Sequence, residues 1–421
     1  MRKLLQKILA KLARLTLAKF KPRIVGITGS VGKTSTKEAI GVLLMSKYRV
    51  RMNSGNYNNE IGLPLAILGQ ESGYKNLFLW VWIFIKSLIL LLSSNYPEVL
   101  VLELGADRPG DIAYLVDLLK DMEVGVISSI GVSHLEFFGT VEQLAKEKLS
   151  LIKKLKISSW AVLNFDSPKV FEGQGQTKAQ VLGFGFTSSA QLKASDFQII
   201  AKDKQWGSNF KVHYQGTVVP FFLPEVLGKP GVYAALAAVG VGLKFKINLV
   251  EASEALKSYR QPAGRLRLIK GSKQSQILDD SYNAAPDSTM AALDVLNTIS
   301  KSRKILVLGE MAELGKKNES GHREVANKIL ELKIDLVFLI GENTKIVSEH
   351  LYKNNFAGKI FWFETSQEAI DLIRQNLQEN DYILVKGSQS VRTEKIVKAI
   401  MASPSQAANL LVRQGKKWLQ L

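Results

Sequence analysis

Residues 23–45 constrain the fold more than any other stretch. Arg23–Thr28 (RIVGIT) reads as a short buried strand, Gly29–Lys33 as a glycine-containing turn and Thr34–Met45 as a helix. A turn that joins a strand to a helix aims backbone N–H groups and the positive helix end at one point. That point suits phosphate. The segment Gly26-Ile-Thr-Gly-Ser-Val-Gly-Lys-Thr34 fits this design as a variant phosphate loop. The strict GxxxxGK[ST] pattern needs glycine at position 27, where Ile27 stands, so the loop has the form G-x-x-G-K-T. Lys33 is placed to reach terminal phosphates and Thr34 to hold Mg²⁺. An incidental glycine-rich turn is the bland alternative; it does not require strand, loop, Lys-Thr and helix in this order.

Similar alternation continues along the chain. Val99–Glu103 and Val124–Ser128 read as further strands set among helical segments, which implies a parallel α/β sheet. Residues 160–225 are rich in β-branched, aromatic and turn residues, and read as hairpins appended to that sheet. Val232–Leu243 is an alanine-rich helix. The chain punctuates at Gln261–Gly264, and a domain boundary is expected there. Strand patterns at Ile277–Asp279, Lys304–Leu308, Leu336–Ile340 and Tyr382–Val385 then alternate with helices, as in a doubly wound, Rossmann-like α/β unit. The expected organisation is a basic helix over residues 1–22, an ATP-binding domain with a mostly parallel sheet over 23–262, and a second α/β domain over 263–421. An apolar insertion at 76–93 interrupts the first.

Composition removes several classes. The chain of 421 residues has no cysteine, which excludes a disulfide scaffold, an Fe–S cluster and a cysteine nucleophile, and fits a reducing cytoplasm. Its four histidines, His134, His213, His322 and His350, are too few for a histidine-rich metal site. A net charge of +18 asks for an anionic partner: nucleic acid, membrane or phosphorylated substrate.

The charge is concentrated at the start. Arg2, Lys3, Lys7, Lys11, Arg14, Lys19, Lys21 and Arg23 occur with no acid among them, and Leu5, Ile8, Leu9, Leu12 and Leu15 recur at helical spacing. Two readings stand: a basic amphipathic helix lying on an anionic membrane, or one that packs its leucines on the protein and solvates its lysines. No long apolar core or small-residue cleavage site follows, so it is not a secretory signal. Leu77–Leu92 (LFLWVWIFIKSLILLL) is almost wholly apolar. At 1.5 Å per residue it reaches about 24 Å, short of a hydrocarbon core of about 30 Å. A single span would also put Thr34 and Glu103 on opposite sides of a bilayer, although both are expected at one metal ion. A buried helix or a membrane-dipping element remains, and peripheral contact with the inner face of the plasma membrane is the favoured expectation.

Further segments carry a resemblance. They are Asn56-Tyr-Asn-Asn-Glu-Ile-Gly-Leu-Pro64, Glu103-Leu-Gly-Ala, His134-Leu-Glu-Phe-Phe-Gly, Ala145-Lys-Glu-Lys148, Asp279-Asp-Ser-Tyr-Asn-Ala-Ala-Pro286, Leu308-Gly-Glu-Met-Ala-Glu-Leu-Gly315, His322 and Lys386-Gly-Ser388. With the phosphate loop, and in this order from about residue 24 to 395, the chain resembles the Mur ligase family. Within it, the chain is most similar to the branch that joins D-alanyl-D-alanine to a muramoyl tripeptide in peptidoglycan precursor synthesis. The resemblance implies an ATP-dependent amide ligase that activates a carboxylate as an acyl phosphate. Two departures stand out. Only about 22 residues precede the ATPase segment, where the family has a UDP-binding domain. The family's G-x-H-N segment reads Gly228-Lys-Pro-Gly231, so its adenine-contacting Asn is absent.

The resemblance also assigns roles. ATP falls to Gly29, Ser30, Val31, Gly32, Lys33, Thr34 and Ser35, with Arg265 swinging onto the phosphates and Asp280 bonding the ribose. Two Mg²⁺ ions fall to Thr34 and Glu103, and to His134 with a carbamylated Lys148. Lys33, Lys148 and His134 are the implied catalytic residues. Asn56, Asn58 and Asn59 would grip the muramoyl peptide, and Lys386 and Ser388 the carboxylate of the incoming dipeptide. Read alone, Glu103 is a solvated strand-end acid, His134 a structural histidine, Lys148 a surface lysine and Asp280 part of a solvated turn. Lys146 competes with Lys148, but residues two apart on a helix face different ways. His322 reads as structural or near the nucleotide. A folate polyglutamylating ligase, or a relative acting on a lipid-linked carboxylate, is the alternative enzyme. A nucleic-acid-dependent ATPase is the alternative class, and the absence of a base-stacking motif argues against it. A cytoplasmic monomer is expected.

Overall fold

The computed structural model describes residues 2–55, 57–131, 135–202, 205–415 and 418. The chain opens with helix α1 (Arg2–Phe20), then strand β1 (Arg23–Thr28) and helix α2 (Lys33–Met45). There follow β2 (Val50–Met52), α3 (Gly62–Leu68), α4 (Leu77–Leu90), β3 (Val99–Glu103), α5 (Asp111–Leu119), β4 (Val124–Ile127), α6 (Leu135–Phe138), α7 (Val141–Lys153), β5 (Trp160–Asn164) and α8 (Pro168–Glu172). Strands β6 (Gln180–Gly185), β7 (Leu192–Lys202), β8 (Gln205–Tyr214) and β9 (Thr217–Pro224) complete a nine-stranded sheet of order β2-β3-β1-β4-β5-β6-β7-β8-β9.

From β2 to β7 neighbouring strands are parallel; β7, β8 and β9 pair antiparallel. The expectation of hairpins throughout 160–225 is therefore corrected: β5 and β6 extend the parallel sheet, and only β7–β9 form hairpins. Short apolar runs look alike in both settings, and pairing partners decide between them. The inner strands β1, β3 and β4 are buried almost throughout, as parallel strands covered on both faces must be. Helices α2 and α9 (Lys229–Lys244) cover one face of this sheet. Helices α1, α3, α5 and α7 cover the other.

After α10 (Leu249–Leu256) the chain crosses to a second sheet, built from β10 (Arg267–Lys270), β11 (Gln276–Asp280), β12 (Lys304–Gly309), β13 (Leu336–Ile340), β14 (Lys359–Phe363) and β15 (Tyr382–Lys386). Its order is β10-β11-β15-β12-β13-β14, parallel except for the edge strand β10. Helices α11 (Pro286–Ile299), α12 (Asn318–Glu331), α13 (Lys345–Lys353), α14 (Ser366–Asn376) and α15 (Glu394–Ile400) flank it. Strands β10 and β14 escape the sequence reading; β14 is an edge strand with none of its five residues fully buried.

Helix α1 packs Leu9, Ala10, Leu12 and Ala13 inward, and α4 buries only Ile83 and Ser87. The α1 ammonium of Lys19 bonds the carbonyls of Leu91 and Ser93, at 2.5 and 2.7 Å, just past the end of α4. Among the described residues, no helix is long and apolar enough to cross a membrane.

Candidate active site

The C-terminal ends of β1, β3 and β4 open onto a cavity of about 1370 Å³ whose other wall comes from the second sheet. Parallel strands put their carboxyl ends, and the loops that follow, on one side, where α/β proteins bind ligands.

The phosphate loop lies at the floor. Gly29 has φ 148° and a side chain there would collide with the Ser128 hydroxyl; Gly32 has φ 87° and serves as the N-cap of α2. Its N-cap, Gly32, has no side chain to cap that helix end, and the first turn faces the cavity with N–H groups that can meet an anion. The hydroxyl of Ser30 is buried with no partner among the described residues. The Lys33 ammonium folds back onto the carbonyls of Gly29 and Ser30, at 2.8 and 3.3 Å. Burial pushes its pKa down, against the pull of Glu103.

Thr34 and Glu103 meet as expected: the Thr34 hydroxyl donates to Glu103 Oε2 at 3.0 Å. The register places Glu103 opposite Ile27, one residue before the strand ends. Asn58 donates to the other oxygen of Glu103 at 3.2 Å. Sequence reasoning missed Asn53, which fixes the backbone of Glu103. Its Oδ1 accepts the Glu103 N–H at 2.8 Å, and its Nδ2 donates to the carbonyls of Glu103 and Tyr57, at 3.1 and 2.9 Å. A hydroxyl and a carboxylate held this way are hard oxygen donors suited to Mg²⁺.

Lys148 faces the cavity and is 1% exposed, whereas Lys146 on the next face of α7 is exposed. Its neighbour Glu147 sets α7 against α5 by accepting the N–H groups of Gly110 and Ile112 at 2.8 and 2.7 Å, capping α5. Burial, and then the nearby Lys33 cation, bring the Lys148 pKa down to about 7. Among the described residues, none accepts a hydrogen bond from its ammonium. His134 and Asn56 lie outside the described residues. Asn59 lines the cavity and caps the entry to α3, its Oδ1 accepting from Gly62 N at 2.9 Å. That is the ordinary turn role of asparagine.

The second sheet supplies the opposite wall. Arg265 donates to the Thr34 hydroxyl at 3.2 Å and stacks on Tyr282, 4.1 Å from the ring centroid. Asp280 and Lys386 are register partners on β11 and β15 and form a buried ion pair at 2.5 Å. Lys386 also reaches the carbonyl of Asn283 at 3.0 Å. The two residues assigned separately to ribose and dipeptide thus bond each other. Burial pushes the Asp280 pKa up, against the pull of Lys386. Ser388 lines the cavity and accepts from Ala312 N at 2.8 Å. Lys229, Tyr233 and Asp166 line it near the departing Gly228–Gly231 segment; none was singled out from the sequence. Their signal is absent because Tyr233 finds Asp166 only across 67 residues, at 2.9 Å. His322 is structural: its ring accepts from Met311 N at 3.3 Å and bonds the Asn318 carbonyl at 2.8 Å.

Comparison with known proteins bears on this geometry. Residues 27–79 and 83–242 match the Mur ligase middle domain, and residues 264–389 the Mur ligase glutamate ligase domain. The UDP-N-acetylmuramoyl-tripeptide–D-alanyl-D-alanine ligase of Bacillus subtilis is 31% identical over 397 residues, 94% of this chain and 79% of that protein. A crystal structure of MurF from Acinetobacter baumannii has a TM-score of 0.78 at 25% identity, covering 93% of this chain and 79% of the other. MurF from Thermotoga maritima, solved in complex with ADP, has a TM-score of 0.77 at 26% identity, covering 94% and 83%.

Proposed function

This chain belongs to the Mur ligase family, and from that premise we propose that it is the ATP-dependent ligase joining D-alanyl-D-alanine to a muramoyl tripeptide. One observation carries the reading: a single cavity brings the phosphate loop, Glu103 and Lys148 opposite Arg265, Asp280 and Lys386.

Amide formation from a carboxylate needs an activated acyl group. The carboxylate oxygen takes the γ-phosphoryl of ATP and ADP leaves; the amine of the dipeptide then adds to the acyl carbon and phosphate departs. Both steps gather anions, so positioning and charge neutralisation do most of the work. The loop N–H groups and Lys33 hold the phosphates, and Arg265 adds charge from the second sheet. Thr34 and Glu103 would hold Mg²⁺, which when bound supplies positive charge to the transferring group. A second Mg²⁺ belongs to the same reading, with His134 and Lys148 as its protein ligands. A pKa of about 7 leaves much of Lys148 as free amine. That amine can add to CO₂ and release a proton, giving the carbamate oxygens a metal needs.

Asn56, Asn58 and Asn59 are assigned to the muramoyl peptide, and Lys386 and Ser388 to the dipeptide carboxylate. The catalytic units are taken as 23–262 and 263–421, acting in a monomer. Its place in the cell is the cytoplasm, in peripheral contact with an anionic membrane.

Product mass analysis tests the assignment. Purified chain with ATP, Mg²⁺, UDP-muramoyl tripeptide and D-alanyl-D-alanine should yield ADP and a product heavier by the dipeptide less water. ATP turnover that responds instead to a folate and glutamate would overturn it.

A further inference from the structure

The most apolar helix of the chain leaves most of its surface in solvent. On α4, Phe78, Trp82, Ile85, Leu88 and Ile89 form a continuous stripe at spacings of four, three, three and one, and Leu92 prolongs it past the helix end. Phe78 and Leu92 are each 87% exposed. Lys86 alone interrupts the surface, its ammonium 5.5 Å from the Trp82 ring centroid.

Helix α1 lies alongside. Its Leu9 and Leu12 share a buried cluster with Ile83 of α4, and its Lys19 meets the carbonyls beyond α4. The two helices therefore run side by side in the same direction. At about 100° per residue around α1, the exposed cations Lys3, Lys7, Lys11 and Arg14 fall on one half of the free arc. Leu4, Ile8 and Leu15 fall on the other half, adjoining Lys19 and Leu12 and hence α4. Among the described residues, none of those four cations has an acidic partner. The result is a broad apolar strip edged by unpaired positive charge.

We infer that α1 and α4 form one platform that lies in the plane of an anionic lipid bilayer, with the α4 stripe in the acyl boundary and the α1 cations at the phosphates. Apolar and aromatic side chains beside a row of cations are what such an interface binds. The charge row selects lipid over a second copy of this cationic chain, which would set like charge against like. The platform is joined to the cavity, because Arg2 and Gln6 of α1 donate to Glu60 on its rim, at 2.8 and 2.9 Å. This deepens the membrane contact proposed above and is independent of the ligase chemistry.

The test is vesicle co-sedimentation of the full chain, with phosphatidylcholine alone or mixed with phosphatidylglycerol, at low and high salt. The chain should bind the mixed vesicles, release with salt, and show a blue shift in tryptophan emission. The quadruple variant K3Q/K7Q/K11Q/R14Q should bind mixed vesicles roughly 1000-fold more weakly. F78S/W82S/L88S should lose binding to mixed vesicles and the blue shift, and both variants should retain ligation in solution. Binding that both variants retain would overturn the platform while leaving membrane contact standing. A chain that stays in the supernatant with every lipid overturns both. A solution dimer that F78S/W82S/L88S dissociates would make a second copy the occupant and refute the inference.

Discussion

Replacing Asn53 with alanine isolates what the clamp on Glu103 contributes. Asn53 is 1% exposed, and its side chain makes three hydrogen bonds to its own loop and β3 among the described residues. The variant strands the buried Glu103 N–H, at about 1–3 kcal/mol, and removes two bonds to carbonyls worth about 1 kcal/mol each. The sum is about 3–5 kcal/mol. At roughly 2–4 °C per kcal/mol for a domain of this size, the melting temperature should fall by about 6–20 °C. The strand end that aims the carboxylate at Thr34 also loosens. A displacement near 1 Å costs on the order of 100-fold in rate, and the Mg²⁺ concentration for half-maximal ligation should rise. Calorimetry and a Mg²⁺ titration of initial rates read the two effects separately. An Asn53→Ala chain with unchanged melting and unchanged Mg²⁺ response would show that Glu103 is held by the sheet alone.

Lys33→Ala should abolish ligation while circular dichroism stays native, because no other cation on the loop can meet the transferring phosphate; near-normal turnover would refute the loop assignment. Lys148→Ala should be nearly inactive, unrescued by bicarbonate and partly restored by short carboxylic acids, while Lys146→Ala should be normal; the reverse pattern would refute the helix-face reading. Asp279 is fully buried with one oxygen unpartnered among the described residues, and burial pushes its pKa up to about 6 from 3.8. A carboxyl whose folded pKa is raised stabilises the fold most below pH 3.8, and that stability is lost as pH rises to about 6, amounting to about 3 kcal/mol. Asp279→Asn should therefore be the more stable chain at pH 7, with the advantage closing toward pH 4 in urea titrations. A pH-independent gap would locate the effect elsewhere.

What the sequence revealed was what local order encodes. Strand, glycine turn and helix lie within a few residues, so the phosphate loop was readable. The place of Glu103 was readable because parallel strands bring their carboxyl ends to one side, but its role as a metal ligand came from the family resemblance. Helix periodicity let only one of Lys146 and Lys148 face inward, and the family resemblance chose Lys148. Asn53 was not readable, because its partner stands 50 positions away and nothing nearby distinguishes it from a loop asparagine. The Asp280–Lys386 pair was hidden for a similar reason: it exists only because β11 and β15 are neighbours in the sheet. Strands β5 and β6 were mistaken for hairpins because composition does not encode a pairing partner. The clustering of apolar side chains on α4 was visible, but which of them the protein leaves uncovered depends on α1 and α3 packing from elsewhere in the chain.

The bond from Arg265 to Thr34 ties the two walls of the cavity through a single hydroxyl. A nucleotide seated between those walls binds only while both are folded. Its release is then a cost charged to the unfolding of either sheet. At a concentration 100 times its dissociation constant, that cost is about 2.7 kcal/mol. Cooperativity of melting therefore becomes a variable set by ligand concentration. As nucleotide is added, the heat-capacity transition of the less stable sheet must rise until it meets that of the other, so that the liganded chain unfolds as one body.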